Sequence, residues 1–372
     1  MGAAASLDSS LQARPHGPLL TDPSSWDNGT LCAHLDERGM QDLVPMVSAR
    51  RVTGAQLLTM DDAGLAALGV TGDRARMLSA ELRDLRNLFA PVALPPGELA
   101  FLRALRDATS PEAWSKKRGW SQLEENQGRN CHGIEVRDGR VISLRLTHNN
   151  MLGALPPDDS AGAGISNLAL LRELRLDRNS FPHTIFSDLG GCTELVIVNL
   201  SGCSLGTAVQ ANVPPSIGAL RKLQQLYLQE NNLRGQLPAE LCDCTELRKL
   251  DLSFNTLYGP LPAALGERLT KLTELRAFGN GFSGRIPSEL GNLADLVHLD
   301  LSDNAFKGSV PYEALGRCSG LRRLLLHSNY LKNTEHATRY FERHAPELCD
   351  NLQLAPRVFR KPEVSQASEL EA

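Results

Sequence analysis

The chain has 372 residues, 42% apolar and 22% charged, with a formal net charge of −4. That length suggests two or three domains, each able to bury its own core. A near-neutral chain without a basic block gives no electrostatic case for nucleic acid, and no apolar run approaches the ~20 residues that a membrane-spanning helix needs.

The chain opens with MGAAASLDSS, in which Gly2 and Ser6 complete the pattern M-G-x-x-x-[ST] of N-myristoylation. Residues 1–23 are expected to be disordered, with Gly2 as the candidate lipid acceptor. The segment lacks the basic and apolar regions of a secretory signal, which points to the cytosol. A single myristoyl chain binds membrane only marginally, at ~10⁴ M⁻¹. The segment has no Lys, its only Arg is Arg14, and no Cys precedes Cys32, so no second anchoring signal lies nearby. Self-association of several weakly anchored chains could supply that second signal by avidity.

Residues 24–89 form the next unit, with short helical patterns broken by Gly39, Gly54, Gly69 and Gly72. Asp61 and Asp62 can cap a helix beginning near Ala63, and Asp73 a longer one with the stripe Met77, Leu78, Leu82 and Leu85. The residues Trp26, Leu35, Gly39, Gly54, Leu57, Leu58, the Asp-Asp before Leu65, Leu68-Gly69-Val70, Arg74 and Leu82 resemble a sterile alpha motif (SAM) domain. The resemblance implies a five-helix bundle. It also implies head-to-tail association, with Asp61 and Asp62 on one surface meeting Arg74 and Arg76 on another. The same charges also read as a solvated face with helix caps. A Pro-rich, semi-rigid linker, residues 90–98, follows.

Residues 99–138 carry Leu99, Leu102 and Leu105 at helical spacing and then NCHGIEV. From residue 139 to 332 one phrase recurs, most cleanly as LRKLDLSFNTLYGPLP at 247–262. Eight copies place Asn, or once Cys, at 149, 179, 203, 231, 255, 280, 304 and 329, with steps of 30, 24, 28, 24, 25, 24 and 25. The two long steps mark insertions at DDSAGAG (158–164) and TAVQAN (207–212). The phrase resembles the leucine-rich repeat L-x-x-L-x-L-x-x-N/C-x-L, and its G-x-[LIV]-P continuation the plant-type subclass. Alternation turns Leu250 and Leu252 inward and Asp251 outward; Asn255 is expected at the buried end of the strand, and Gly259 in the turn. The expected fold is therefore α plus an α/β solenoid: a small five-helix SAM-like bundle, then a curved solenoid of about eight coils with helical caps. Residues 333–350 form the closing helix, with Ala337, Phe341 and Leu348 inward and His336 and His344 eight residues apart, and residues 351–372 a disordered tail.

The cap of secreted plant-type repeats carries C-x-W-x-G-V-x-C closed by a disulfide; here Arg129 and Val136 hold the two Cys positions and Cys131 that of the Trp. The resemblance with this departure implies an intracellular adaptor in place of a secreted receptor; the alternative is an extracellular or membrane-associated receptor-type recognition protein, or a regulatory module of an enzyme complex. Cys192, Cys244 and Cys318 share one convex core position and Cys203 takes an Asn position, so all four read as small buried hydrophobes. C-D-C at 242–244 has no second pair at zinc spacing, and no metal or cofactor is expected. Gly202–Gly206 matches the esterase elbow G-x-S-x-G, but Cys203 and Leu205 are repeat positions, which excludes Ser204 as a nucleophile. No kinase, P-loop or metalloprotease signature occurs, so no enzyme is expected.

Binding is expected on the concave face. The exposed column there reads Arg145, Arg175, Asn199, Tyr227, Asp251, Arg276, Asp300 and Leu325. Asp251, Arg276 and Asp300 alternate in charge across neighbouring strands; Arg145, Arg172, Arg175 and Arg178 form a basic region suited to an acidic segment. Tyr227, Phe254 and Phe278 stand on three successive coils, and in a chain only 5% aromatic they are the candidate anchors for a protein partner. Single exposed aromatics do, however, occur on any surface.

Overall fold

The computed structural model describes residues 26–37, 40–60, 62–88, 93–156, 162–182, 186–207 and 211–354. Gly2, Asp61 and the expected N-terminal segment lie outside the described residues, as do the side chains of Asp62, Met77, Leu85 and Cys349. The chain divides into two compact units, Met1–Pro91 and Val92–Ala372.

In the first unit the helices are α1 (Asn28–Glu37), α2 (Val44–Ala49), α3 (Gly54–Thr59), α4 (Asp62–Ala67) and α5 (Asp73–Leu88). Local rules set several boundaries. Thr53 caps α3 in a reciprocal capping box with Gln56. Gly69 and Gly72, at φ +84° and +66°, turn the chain between α4 and α5. Asn28 fastens α1 to the next segment by donating to the carbonyls of Val47 (3.0 Å) and Val52 (2.8 Å). Trp26, Leu31, Leu35, Val47, Leu65, Leu78 and Leu82 are buried in one core.

The second unit opens with α6 (Pro96–Ala108), so the last three residues of the expected linker belong to a helix. Pro96 sits in the first turn, where its missing N–H and fixed φ cost nothing. Phe101, Leu102 and Leu105 are fully buried. The strands β1 (Ile134–Arg137), β2 (Arg140–Arg145), β3 (Glu173–Arg175), β4 (Ile197–Asn199), β5 (Gln225–Tyr227), β7 (Lys249–Asp251), β9 (Glu274–Arg276), β11 (His298–Asp300), β13 (Arg323–Leu325) and β15 (Leu352–Gln353) form one sheet. It is parallel except for β1, which runs antiparallel to β2. A second parallel sheet contains β6 (Arg234–Gly235), β8 (Thr256–Gly259), β10 (Gly281–Gly284), β12 (Ala305–Ser309) and β14 (Tyr330–Lys332). Short helical turns on the opposite side carry glycines such as Gly266 and Gly291. There a β carbon would come within 2.1 and 2.2 Å of the next coil's backbone, which forbids any larger residue.

The ladder residues stitch each coil to the one before it. Asn231 accepts from the N–H groups of Cys203 and Leu205, each at 3.0 Å, and donates to the carbonyls of Leu200 (2.9 Å) and Leu228 (3.0 Å). Cys203 replaces one amide, its thiol donating to the carbonyl of Leu176 at 3.1 Å. The first rung, Asn149, instead accepts from the Lys116 N–H of the cap at 2.6 Å. The residue just before every ladder position has a left-handed backbone, φ +50° to +66°: His148, Arg178, Gly202, Glu230, Phe254, Gly279, Asp303 and Ser328.

The C-terminal boundary differs from expectation. Leu352–Gln353 form β15 beside β13, the Leu326 N–H donates to the Gln353 carbonyl at 2.7 Å, and Leu354 is buried. Ordered structure therefore extends past 351, because the last sheet strand would otherwise present an open edge. The closing helix Thr334–His344 buries Ala337 and Phe341, and His344 stacks on Tyr340 at 4.4 Å between centroids.

Candidate binding face

The expected concave column divides into residues that reach solvent and residues consumed by the fold. Asp251 and Asp300 are buried, not exposed as the alternation suggested. Each closes its own strand: Asp251 accepts from the Ser253 N–H at 3.0 Å, and Asp300 from the Ser302 N–H at 3.1 Å and hydroxyl at 2.6 Å. Asn199 accepts from the Ser201 N–H at 3.1 Å in the same way. Burial pushes the Asp251 carboxyl above its ordinary value, against hydrogen bonds from Ser253 and the charge of Arg276.

The charge alternation is also rearranged. Arg276 pairs with Glu274 on its own strand at 2.5 Å and reaches Asp251 at 3.8 Å, while its Nε lies 3.4 Å from His298 Nδ1. No pairing with Asp300 occurs among the described residues. Burial, then the neighbouring Arg276, lowers the His298 imidazole below its ordinary value.

Two of the four arginines of the N-terminal basic region are neutralised. Glu173 lies in register beside Ser143, and both Arg145 (2.5 Å) and Arg175 converge on its carboxylate. Burial raises the Glu173 carboxyl, but the hydrogen bonds from Arg145 and Arg175 outweigh it and hold it below the usual carboxylate range. The signal was present in the sequence, since Glu173 and Arg175 stand two apart on one strand and therefore share a face. Arg172 and Arg178 are exposed.

The aromatic residues remain accessible. Phe254 is 55% exposed, and its ring meets that of Phe278 edge to face, with centroids 4.7 Å apart. Tyr227 is half-buried, its hydroxyl 3.3 Å from Gln225 Oε1. Phe254 holds φ +52°, a conformation that costs a bulky L-residue about 1–2 kcal/mol. Its ring lies over Gly279, where a β carbon would come within 2.9 Å of it.

Among the described residues, the buried thiols are poor nucleophiles. Burial pushes the thiols of Cys203 and Cys244 up to about 12 and those of Cys242 and Cys318 up to about 11. Such thiols are inert at neutral pH. Cys32, Cys131, Cys203, Cys242, Cys244 and Cys318 are free thiols. Ser204 lies in a turn between buried Cys203 and Leu205, not on a strand-to-helix elbow.

In the first unit, the two arginines of the expected association surface are engaged within their own bundle: Arg74 with Asp42 at 2.7 Å and Arg76 with Asp73 at 3.2 Å.

Comparison with known families matches the sterile alpha motif domain over residues 23–81 and the leucine-rich repeat over 222–244, 246–267 and 271–293. The chain carries a SAM domain followed by leucine-rich repeats. Both are modules of protein–protein interaction. Among solved structures, PEPR1–AtPEP1 is similar at 29% identity with a TM-score of 0.52, over 62% of this chain and 32% of that one. The ectodomain of the plant membrane receptor kinase GASSHO1/SCHENGEN3 from Arabidopsis thaliana, in complex with CASPARIAN STRIP INTEGRITY FACTOR 2, is 32% identical with a TM-score of 0.45, over 51% and 22%. The SAM–repeat chain thus spans a third or less of the length of either. No curated protein matches the chain.

Proposed function

We propose that this protein is a non-enzymatic adaptor whose repeats hold a protein partner on their concave face. The single observation that carries this reading is Phe254, exposed at a left-handed backbone position with its ring edge to face against half-buried Phe278. Beyond its contacts with Phe278 and Gly279, more than half of this bulky ring is kept in solvent at a backbone cost, and such aromatic anchors dominate protein interfaces. Tyr227 on β5 and Arg276 on β9 extend the surface, while Asp251, Asp300, Arg145 and Arg175 shape and preorganise it through the contacts described above.

The SAM domain self-associates or docks a second protein, using Arg74 and Arg76 against Asp61 and Asp62. Gly2 carries a myristoyl group that brings the assembly to the cytosolic face of a membrane. A receptor-type recognition role is the second reading, supported by the likeness to PEPR1–AtPEP1.

The test is affinity capture with the full chain and two variants, Tyr227→Ala with Phe278→Ala, and Phe254→Gly. Glycine accepts φ +52° freely, so Phe254→Gly should shift Tm by only a few degrees. Proteins captured by the wild type should be lost by roughly tenfold or more from both variants. An unchanged captured set at unchanged Tm defeats the concave-face reading.

A further inference from the structure

The two sheets handle charge differently. On the first, Arg145, Arg175, Lys249 and Arg276 pair with carboxylates of the same face, while Arg323 on β13 has no ion pair among the described residues. The strands β6, β8, β10, β12 and β14 of the second sheet contain no aspartate or glutamate. Arg234, Lys307 and Lys332 on those strands, and Arg285 directly after β10, are exposed, and none makes an ion pair among the described residues. Tyr258 and Tyr330 on the same strands are 53% and 38% exposed.

Register gathers three of these cations, while Arg234, paired with Thr256, lies further back along the strands. Gly284 pairs with Phe306, which brings Arg285 level with Lys307; Lys307 pairs with Tyr330 and Ser309 with Lys332. The stem of Arg285 lies across Gly308, where a β carbon would come within 3.2 Å of its Cγ. Arg285, Ser309 and Lys332 then line a cavity of about 650 Å³, with Glu289 at its wall. Carboxylates border the track: Glu230 and Asp303 precede it on the ladder side, and Glu240, Glu289 and Glu313 follow it in the helical turns.

We infer that the outer face of the second sheet docks an extended acidic polypeptide segment, laid across the strands. Lys332 lies one strand (~4.8 Å) across and two residues (~6.7 Å) along from Lys307, a diagonal of ~8 Å, close to the ~7 Å between like-facing side chains of an extended chain, so alternate glutamates or aspartates can meet both. Lysine and arginine form charge-assisted hydrogen bonds with such carboxylates. The carboxylate borders disfavour broad anionic surfaces, because a membrane or duplex would press its phosphates against them. Tyr258 and Tyr330 lie three strand spacings across and four residues along, ~20 Å, too far to stack successive bases of a single strand. This surface is separate from the concave aromatic face and does not depend on it.

Fluorescence anisotropy on the full chain tests the inference, with a labelled peptide of about ten residues alternating Glu and Ala as the probe. Wild type should bind it, more weakly as salt rises. Lys307→Glu with Lys332→Glu should weaken binding about tenfold. Tyr227→Ala with Phe278→Ala should bind as wild type, so the two surfaces fail separately. Lys307→Gln with Lys332→Gln serves if the charge-reversed chain does not fold, with a loss of about threefold. No binding by wild type, equal binding by the folded charge variants, or tighter binding of oligo-dT or phosphatidylserine vesicles overturns the inference.

Discussion

His298 shows how one buried side chain sets a pH response. Its side chain is only 14% exposed, and burial together with Arg276 keeps the imidazole neutral below its ordinary range. The unfolded chain protonates near pH ~6.5 and the folded one only at lower pH, so stability falls as pH drops below the unfolded value. His298→Gln should therefore make the fall in Tm between about pH 7.5 and about pH 5 shallower. A thermal scan series measures this, and an unchanged slope would assign the response to other groups. Legibility at this scale was uneven. L-x-L alternation correctly turned Leu250 and Leu252 inward. It did not reveal that the carboxylates of Asp251 and Asp300 would fold back on a serine N–H two residues on, because alternation fixes the direction of a side chain and not its cover.

Among the elements, α6 and β2 are joined by a contact with no sequence signature. Glu98 is fully buried, Arg140 Nε donates to it, and so does the Val141 N–H at 2.8 Å. Forty-two residues separate Glu98 from Arg140, and no periodicity links them. Glu98→Ala strands the guanidinium and an N–H, and should cost about 3 kcal/mol in the solenoid's unfolding. Urea titration in a Trp26→Phe background follows this through Trp114 and Trp120, whose rings meet at 4.9 Å. A loss below about 1 kcal/mol would mean that the contact is solvated. The repeats, by contrast, were legible because their buried positions recur at fixed intervals, whereas the ends of the solenoid obey no repeat and were placed several residues away from their observed limits.

For the whole molecule, the proposed membrane adaptor combines two weak interactions, a single acyl chain and a SAM contact. Gly2→Ala should empty the membrane fraction, and an assembly-deficient chain should lower it roughly tenfold. Arg74→Glu and Asp61→Lys should each abolish assembly in sedimentation, and their mixture should form dimers. Arg74→Glu also sets two carboxylates together at Asp42, so its Tm must be checked beside that of Asp61→Lys. Full membrane retention by an assembly-deficient chain would remove the avidity proposal.

The amide ladder gives the solenoid a direction of completion. Asn231 satisfies N–H groups of the coil before it, and Asn179 does the same for Asn149 and Met151. Each coil thus remains unfinished until its successor has been made. On a ribosome, the newest turn of the spiral always faces the exit with unclosed amides, and only synthesis of the next turn seals it.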